Sequence, residues 1–246
     1  EDGIRDYKVT GVQTCALPIC RGGAPASLAG MGRGSAHHGG RAMALRLSGG
    51  RRLRSPRGEV ARPTTGRVRQ AVINLLAPQL QGCRWLELCG GSGVMACEAL
   101  QWGAAAVWLV ERDRRVATVA RANLGDVATS LARSRENPAP AVMVVEQEVL
   151  RFLGRGCAAQ GVEPFTLIYA DPPWAAGLHV PLAEAVATGG WLGPEGILVW
   201  ECGRGANLPP PPGWREQRRR TYGACELVLL TLASTNPRST AEGLQP

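Results

Sequence analysis

Five residues in the second half of the chain, Ala-Asp-Pro-Pro-Trp at 170–174, combine side chains that could act on a planar ring. They follow the apolar run FTLIY, which is typical of a buried strand. Proline fixes φ and lacks an N–H group, so Pro172 and Pro173 should form a stiff, extended corner whose carbonyls can accept hydrogen bonds. The carboxylate of Asp171 and the indole of Trp174 could then grip a ring that carries an amino group. A plain turn, with the acid as a cap and the indole packed, is the alternative that these residues leave open.

A glycine-rich turn is the second candidate for ligand binding. The segment ELCGGSGVMACEAL, residues 87–100, follows an apolar strand and opens a helix. Glycines let a ligand approach the backbone, and a helix N-terminus offers N–H groups without helical partners. The candidate binding residues in the turn are Gly90, Gly91, Ser92 and Gly93. The spacing also suits a dinucleotide, so an NAD-dependent oxidoreductase stays open at this point.

Acids at the ends of successive strands favour a different ligand. Glu87 stands at the entrance to the glycine turn, where a carboxylate would repel a pyrophosphate but attract the ammonium group of S-adenosylmethionine. Glu111 ends the second strand, where an acid can accept both hydroxyls of a ribose. Glu148 is expected at the end of the third strand, where it would meet the adenine amino group while the backbone of Val149 meets the ring. Each acid could instead be a helix cap or a first-turn charge.

The elements that must position these residues alternate along the chain. Apolar strands are predicted at 83–89, 105–111, 141–147, 165–170 and 196–202, and helices at 94–102, 113–124, 149–159 and 178–188. This alternation is typical of a parallel sheet covered by helices on both faces. Two further strands, 214–223 and 224–232, are joined tightly and should form an antiparallel pair. We therefore expect an α/β fold with a mostly parallel sheet of seven strands.

The segment before the sheet is the most basic part of the chain. It holds eight arginines between residues 46 and 69 against a single acid, Glu59. Alternation predicts a short hairpin around Gly49 and Gly50, followed by a helix that Thr64 and Thr65 cap and Pro78 closes. Arginine suits bidentate contacts with phosphate, although a solvated basic surface is the alternative. The predicted phosphate contacts are Arg51, Arg52, Arg54, Arg62, Thr64, Arg67 and Arg69.

Composition narrows the class of protein. The chain has 246 residues, is 45% hydrophobic and carries a net charge of +8, which fits one domain with appendages and a polyanionic partner. Its eight cysteines show no C-x-x-C spacing and its three histidines form no cluster, so we expect no metal site. Unpaired cysteines in apolar segments fit a reducing cytoplasm. No apolar run reaches the length of a membrane helix.

Six segments of the chain, in this order and spacing, resemble the bacterial 16S ribosomal RNA guanine-N2 methyltransferase family: GGRRL, RPTTGRVRQAVINLLAP, WLELCGGSGVMACEALQWGA, the acid of LVERD, ADPPW and GILVWE. ADPPW by itself resembles the (D/N/S)-P-P-(Y/F/W) motif of exocyclic-amine methyltransferases. The resemblance spans about residues 45–232. It implies a Rossmann-like class I methyltransferase fold, S-adenosylmethionine as methyl donor, and ribosomal RNA or a small-subunit assembly intermediate as partner. A cytoplasmic monomer is expected.

The resemblance also implies roles for the residues of ADPPW. Asp171 and the carbonyl of Pro172 would accept the protons of the amine and aim its lone pair at the methyl group. Trp174 would stack on the target base after its extrusion. Two other functions stay open, an adenine-N6 DNA methyltransferase and a catalytically silent RNA-binding factor for ribosome assembly. The first would normally have a separate target-recognition domain, and the second would not need the catalytic residues.

The chain is expected to divide into four segments. Residues 1–42 should be a disordered leader foreign to the native protein, because GVQTCALPI resembles a translated sequencing adapter, with Met31 or Met43 as the native start. Residues 43–66 should form the basic arm and hairpin, and 67–233 the methyltransferase domain. A disordered tail should occupy 234–246.

Overall fold

A seven-stranded sheet organises the part of the protein that the structure describes. The computed structural model describes residues 45–56, 66–134 and 139–233. All of them belong to one compact unit, Ala42–Pro246. The strands are β1 (Arg84–Leu88), β2 (Ala106–Glu111), β3 (Ala141–Glu146), β4 (Phe165–Ala170), β5 (Leu192–Gly203), β6 (Trp214–Tyr222) and β7 (Cys225–Leu232). The helices are α1 (Gly66–Leu80), α2 (Val94–Gln101), α3 (Arg114–Ser134), α4 (Val149–Leu153) and α5 (His179–Thr188). Single 3₁₀ turns occupy Ala158–Gln160 and Trp174–Ala176.

The strand directions confirm the predicted sheet, which is mostly parallel and ends in an antiparallel pair. The order is β3-β2-β1-β4-β5-β7-β6, with β1 to β5 parallel and β7 antiparallel to both of its neighbours. Carboxyl ends of parallel strands meet at one edge, and ligands of open α/β sheets bind where the strand order reverses. Here the reversal lies between β1 and β4, whose last paired residues are Leu88 and Ala170. The glycine turn after β1 and the Asp-Pro-Pro-Trp segment after β4 are therefore neighbours.

Apolar residues cover both faces of the sheet, as the strand pattern predicts. One face packs against α1, α2, α3 and the hairpin, and its buried residues include Val72, Leu76, Leu100, Leu124, Leu167 and Leu227. The other face packs against α4 and α5 around Phe152, Leu182, Trp191 and Trp200. We call these the arm face and the far face. The edge strand β3 departs from the pattern, since Met143 is 46% exposed.

Three predicted helix ends were wrong. Pro78 lies inside α1 instead of closing it, and the helix continues to the fully buried Leu80. The helix α3 runs through Gly125 to Ser134, because Val127 beyond the glycine is buried in the arm-face core. Packing of this kind outweighs the cost of about 1 kcal/mol for glycine inside a helix.

The third wrong end is that of α4. The helix stops at Leu153, and Gly156, with φ at +74°, separates it from the short 3₁₀ turn near residue 159. A left-handed φ is readily adopted only by glycine, so this residue breaks the predicted helix into two pieces.

The predicted hairpin is present. Arg46 and Arg52 form an antiparallel bridge, and the N–H of Gly50 donates to the carbonyl of Leu47 at 2.8 Å. Leu45 and Leu47 are buried in the arm-face core, so the hairpin is anchored by its apolar side. The predicted leader, the Thr64–Thr65 cap and the predicted tail lie outside the described residues.

Candidate active site

A cavity of about 970 Å³ opens at the carboxyl edge of the sheet. The predicted site residues that line it are Glu87, Gly90, Gly91, Ser92, Glu111, Glu148, Val149, Asp171, Pro172, Pro173 and Trp174. It is also lined by Leu45, Ser55 and Pro56 from the arm and by Tyr222, Ala224 and Cys225 at the turn between β6 and β7. Residues distant in sequence thus share one chamber large enough for a nucleoside-sized ligand.

The glycine turn owes its shape to backbone conformation and close packing. Gly91 and Gly93 have φ values of +54° and +75°, in the region that favours glycine. A Cβ on Gly90 would lie 2.4 Å from Cγ of Leu109, so this position lets the turn rest on β2. Gly93 precedes α2 without a side-chain cap; it does not itself line the cavity, but its neighbours Ser92 and Val94 do.

Glu87 lies at the cavity floor and is 3% exposed. Burial raises the pKa of Glu87 to about 8, while hydrogen bonds from the Trp85 indole and the Ala96 N–H act in the opposite direction and nearby carboxylates add to the rise. The indole Nε1 of Trp85 lies 3.4 Å from Glu87 Oε2. A buried carboxyl in this state gains most from a cation placed beside it, because the cation favours the ionised form.

Glu111 is held rigidly at the end of β2. Its two oxygens accept hydrogen bonds from the N–H groups of Gly91 at 3.0 Å and Asp113 at 2.9 Å. Asp113 in turn caps α3, since its Oδ1 accepts from Arg115 and Val116 at 2.8 and 3.0 Å. Each oxygen of Glu111 retains a lone pair for a further donor, such as a ribose hydroxyl.

Glu148 is the N-cap of α4, and the predicted position at the end of β3 was wrong, since that strand ends at Glu146. Its oxygens accept from the N–H groups of Leu150 at 3.0 Å and Arg151 at 2.8 Å. Val149 is buried beside it and lines the cavity. The acid therefore has a structural role whether or not it also meets a ligand.

The Asp-Pro-Pro-Trp segment forms the stiff corner that its sequence predicts. The carbonyl of Pro173 accepts from Ala176 at 2.8 Å, which closes the 3₁₀ turn. The half-buried indole of Trp174 rests on Gly203 at the end of β5, where a Cβ would lie 2.9 Å from Trp174 Cε3. One indole face is thus packed on backbone beside the cavity.

A buried hydrogen-bonded group beneath this corner was not found from the sequence. The hydroxyl of Tyr169 donates to the carboxylate of Glu201, and the His179 Nε2 lies 3.0 Å from the Glu201 carbonyl. Burial raises the pKa of Tyr169 well above its usual value, with the charge of Glu201 as the next cause. The only sequence signal was the acid that ends the strand GILVWE. Glu201 also lines the cavity.

The predicted phosphate-binding arginines separate into two groups. Three make contacts within the protein: Arg51 donates to the carbonyl of Asp126 at 3.1 Å, Arg54 pairs with the Asp126 carboxylate at 3.0 Å, and Arg69 donates to the carbonyl of Arg46 at 2.6 Å. Arg69 also lies 3.8 Å from the fully buried Glu98, and its side chain is 12% exposed. Arg52 and Arg67 are exposed. Arg62 and Thr64 lie outside the described residues.

Two buried polar residues that the sequence did not single out support the site. The Glu98 carboxylate accepts the N–H of Ser48 at 2.8 Å and fastens the hairpin to α2. Asn123 bonds both to the arm at Arg54 and to Ser92 in the glycine turn. Neither residue belongs to a motif, since each acts through a partner far away in sequence.

Among the described residues, no three His, Cys, Asp or Glu side chains are arranged to hold a metal ion. None of the described helices has the length and apolar character of a membrane span.

Comparison with known proteins agrees with this geometry. A family model described as "Conserved hypothetical protein 95" matches residues 47–231. Ribosomal RNA small subunit methyltransferase D of Escherichia coli K12 is 32% identical over 175 residues, covering 71% of this chain and 81% of the relative. The Haemophilus influenzae protein of the same name is 28% identical over 174 residues, covering 71% and 84%.

Solved structures show the same architecture. The Escherichia coli protein yhhF superposes with a TM-score of 0.63 at 30% identity, covering 77% of this chain and 98% of that one. An RNA methyltransferase from Salinibacter ruber in complex with S-adenosyl-L-homocysteine gives a TM-score of 0.52 at 14% identity, covering 72% of this chain and 97% of that one. At this identity the likeness supports only the fold, which is the Rossmann-like class I methyltransferase fold. The extent and identity of these matches show that the chain belongs to the ribosomal RNA small subunit methyltransferase D family.

Proposed function

We propose that this protein methylates the exocyclic N2 amine of a guanine in small-subunit (16S) ribosomal RNA, with S-adenosylmethionine as the methyl donor. The observation that carries the proposal is that Asp171 and Pro172 line the same cavity as Glu87 and Glu111. Asp171 and Pro172 suit a planar amine, whereas Glu87 and Glu111 suit a ligand in which an amino acid is joined to a ribose. Ribosomal RNA as substrate also fits the names of the relatives, and it would place the enzyme in the cytoplasm.

The acids of the cavity and the glycine turn beside them suit S-adenosylmethionine. Glu87 would bind the ammonium group, since its buried carboxyl is stabilised as an anion by a neighbouring cation. Glu111 would accept the ribose hydroxyls, with Gly90, Gly91, Ser92 and Gly93 providing close backbone approach. Val149 would lie against the adenine ring, and Glu148 would meet its amino group only by sharing oxygens that already cap α4. When bound, S-adenosylmethionine supplies an electrophilic methyl group.

Asp171 and Pro172 would orient the amine. The lone pair of an aryl amine is delocalised into its ring, so the nitrogen is a weak nucleophile. Hydrogen bonds from the amine to the Asp171 carboxylate and the Pro172 carbonyl favour a pyramidal nitrogen and direct its lone pair into the cavity. The nitrogen must lose one proton as it gains the methyl group, and the Asp171 carboxylate would accept it.

Trp174 would hold the target base in this position. Its indole is half-buried and lines the cavity, so a base could stack on the part that does not rest on Gly203. Target bases of such enzymes must leave their stack before chemistry, and stacking on an aromatic residue offsets part of that cost.

The decisive experiment is nucleotide mapping combined with a variant of Asp171. Wild-type protein, labelled S-adenosylmethionine and unmodified small subunits should yield N2-methylguanosine at one position of 16S RNA by mass spectrometry. Asp171→Ala should lower the single-turnover rate on the order of 10²-fold or more, because it removes an interaction that strengthens in the transition state. Asp171→Asn keeps a hydrogen-bond acceptor and should lower the single-turnover rate less.

A matched control is Glu195→Ala, which removes an exposed acid near the start of β5, away from the cavity edge. Its rate should equal that of the wild type. Methylated adenine in DNA as the product, or binding of 16S RNA without any methyl transfer, would contradict the proposal.

A further inference from the structure

The edge strand β6 carries arginines that the proposed site does not use. Its sequence, WREQRRRTY, includes three consecutive arginines at 218–220 and ends at Tyr222, which lines the cavity. Arg218 and Arg220 are exposed, whereas Arg219 between them is half-buried. The difference follows from the side of the sheet on which each residue lies.

Strand register places Arg218 and Arg220 on the arm face. Residues directly opposite one another in an antiparallel pair point to the same face, and here Arg218 pairs with Leu229 and Arg220 with Leu227. Both leucines are buried in the arm-face core. Tyr222 pairs with Cys225, another residue of that core, so it continues the same row. The row of Arg218, Arg220 and Tyr222 therefore runs along the sheet edge to the cavity mouth.

Arg219 points the other way and is already neutralised. It pairs with Val228 of the far-face core and contacts the carboxylates of Glu216 at 2.8 Å and Glu226 at 3.2 Å. Within residues 45–56, 66–134 and 139–233, by contrast, no carboxylate lies within 4.0 Å of the guanidinium nitrogens of Arg218 or Arg220. Among the described residues the two exposed charges thus have no partner acid, and Arg220 Nη1 donates only to the backbone carbonyl of Arg219 at 3.0 Å.

The arm and β6 border the cavity at different places, but both lie on the arm face of the sheet. The arm supplies Ser55 and Pro56 to the cavity wall, and the turn after β6 supplies Ala224 beside Tyr222. The arm packs on the arm-face core through Leu45. A nucleotide inserted into the cavity would thus have basic protein surface on two sides.

We propose that Arg218 and Arg220 bind phosphates of the RNA strand that presents the target nucleotide, opposite the arm. The inference rests on the proposed function and adds a second RNA-contacting surface to it. Alternate residues of a strand lie about 6.6 Å apart on one face, so two guanidinium groups can contact successive parts of one backbone. Guanidinium binds phosphate through two parallel hydrogen bonds. Both guanidinium groups are exposed, and Arg220, whose Nη1 donates to the Arg219 carbonyl, keeps further N–H donors for a phosphate.

A different explanation is that the arginines protect the edge of the sheet. Charged residues on edge strands prevent pairing with the edge of another molecule. That role would require charged side chains on β6, but they could lie on either face of the sheet and at any distance from the cavity. The two explanations predict different behaviour for the same variant.

The test is the double variant Arg218→Gln/Arg220→Gln, compared with Arg133→Gln/Arg155→Gln as a matched control. The control removes two exposed arginines, one in the last turn of α3 and one just after α4. Binding of naked 16S RNA and of small subunits is measured over a range of salt concentrations. The β6 variant should weaken both and flatten the log–log salt slope by about 1.4, at roughly 0.7 per contact with single-stranded RNA. The control should keep the wild-type slope.

Further measurements separate the possible outcomes. S-adenosylmethionine affinity and the single-turnover rate at saturating RNA should be unchanged in the β6 variant, because neither arginine lines the cavity. An unchanged salt slope would overturn the proposal, and so would self-association of the variant without any loss of RNA binding, which is the result expected from edge protection. Weaker binding to subunits but not to naked RNA would also overturn it, in favour of a protein partner. Failure of the wild type to form N2-methylguanosine would refute the proposed function alone, since the salt slopes still report on phosphate contacts.

Discussion

The side-chain amide of Asn123 donates to the carbonyl of Ser92 at 3.0 Å, and thereby ties α3 to the glycine turn. The same amide accepts the N–H of Arg54 at 2.9 Å and donates to its carbonyl at 3.0 Å. Asn123 is 1% exposed, and these three bonds occupy both its oxygen and its nitrogen. The basic arm and the glycine turn, which we assign to RNA and to the methyl donor, therefore share one buried support.

Removing this support should affect both assigned sites. Asn123→Ala leaves three backbone groups without their partner, so we expect a loss of about 1–3 kcal/mol in the free energy of unfolding. S-adenosylmethionine affinity should fall, and the amide of Arg54 should exchange faster with deuterium. Asn74→Ala, which changes an exposed asparagine on α1, serves as the control. Equal stability and exchange in both variants would show that Asn123 only fills space.

Stability of the ligand-free protein should depend on pH through Glu87. Its folded-state pKa of about 8 exceeds the ordinary value of 4.5, so the folded state binds a proton that the unfolded state has lost between these limits. The contribution is fully present below about pH 4.5 and is lost as pH rises to about 8. Glu87→Gln should flatten this part of the curve in denaturant titrations at several pH values.

Binding of S-adenosylmethionine should release this proton. An ammonium group beside Glu87 favours the carboxylate, so at pH 7 complex formation should expel up to one proton into the buffer. Calorimetry in buffers of different ionisation enthalpy measures the number released. The Glu87→Gln variant should bind more weakly and release none, and a wild-type value of zero would contradict the assignment of the ammonium group to Glu87.

Trp174 should contribute to RNA binding more than to folding. Trp174→Ala should weaken RNA affinity by about 1–3 kcal/mol, the usual contribution of one stacked base, while Trp174→Phe should retain most of it. Trp102→Ala is a suitable control, because that indole is 42% exposed at the end of α2. If both alanine variants bound 16S RNA equally well, the indole would be only a wall of the cavity.

The exposed arginines of the arm should contribute to RNA binding, whereas the inward-facing Arg69 should contribute to stability. Arg52→Gln/Arg67→Gln removes two exposed charges and should flatten the salt slope of RNA binding with little effect on stability. Arg69→Gln should instead lower the unfolding free energy, because its guanidinium contacts the Arg46 carbonyl and the buried Glu98. Thermal unfolding and salt titrations on the same preparations would separate these effects. Loss of stability in the double variant would contradict the division.

Local signals in the sequence predicted the strands, the glycine turn and the Asp-Pro-Pro-Trp corner, because each depends on residues adjacent in the chain. The position of Glu111 followed from the strand pattern for the same reason. The inward orientation of Arg69 could not be predicted, since its partners come from the hairpin and from α2. The continuation of α3 past Gly125 and the pairing of Tyr169 with Glu201 likewise depend on tertiary contacts that no local pattern encodes.

The order of the strands has a consequence for the newly made chain. The residues that line the cavity are spread along the chain, from Leu45 in the hairpin to Glu201 in β5 and to Tyr222 and Cys225 at the turn between β6 and β7. Translation delivers these parts in sequence, and contacts between distant residues form slowly because their loops must first close. A chain still emerging from the ribosome therefore lacks the cavity until its last described strands are free.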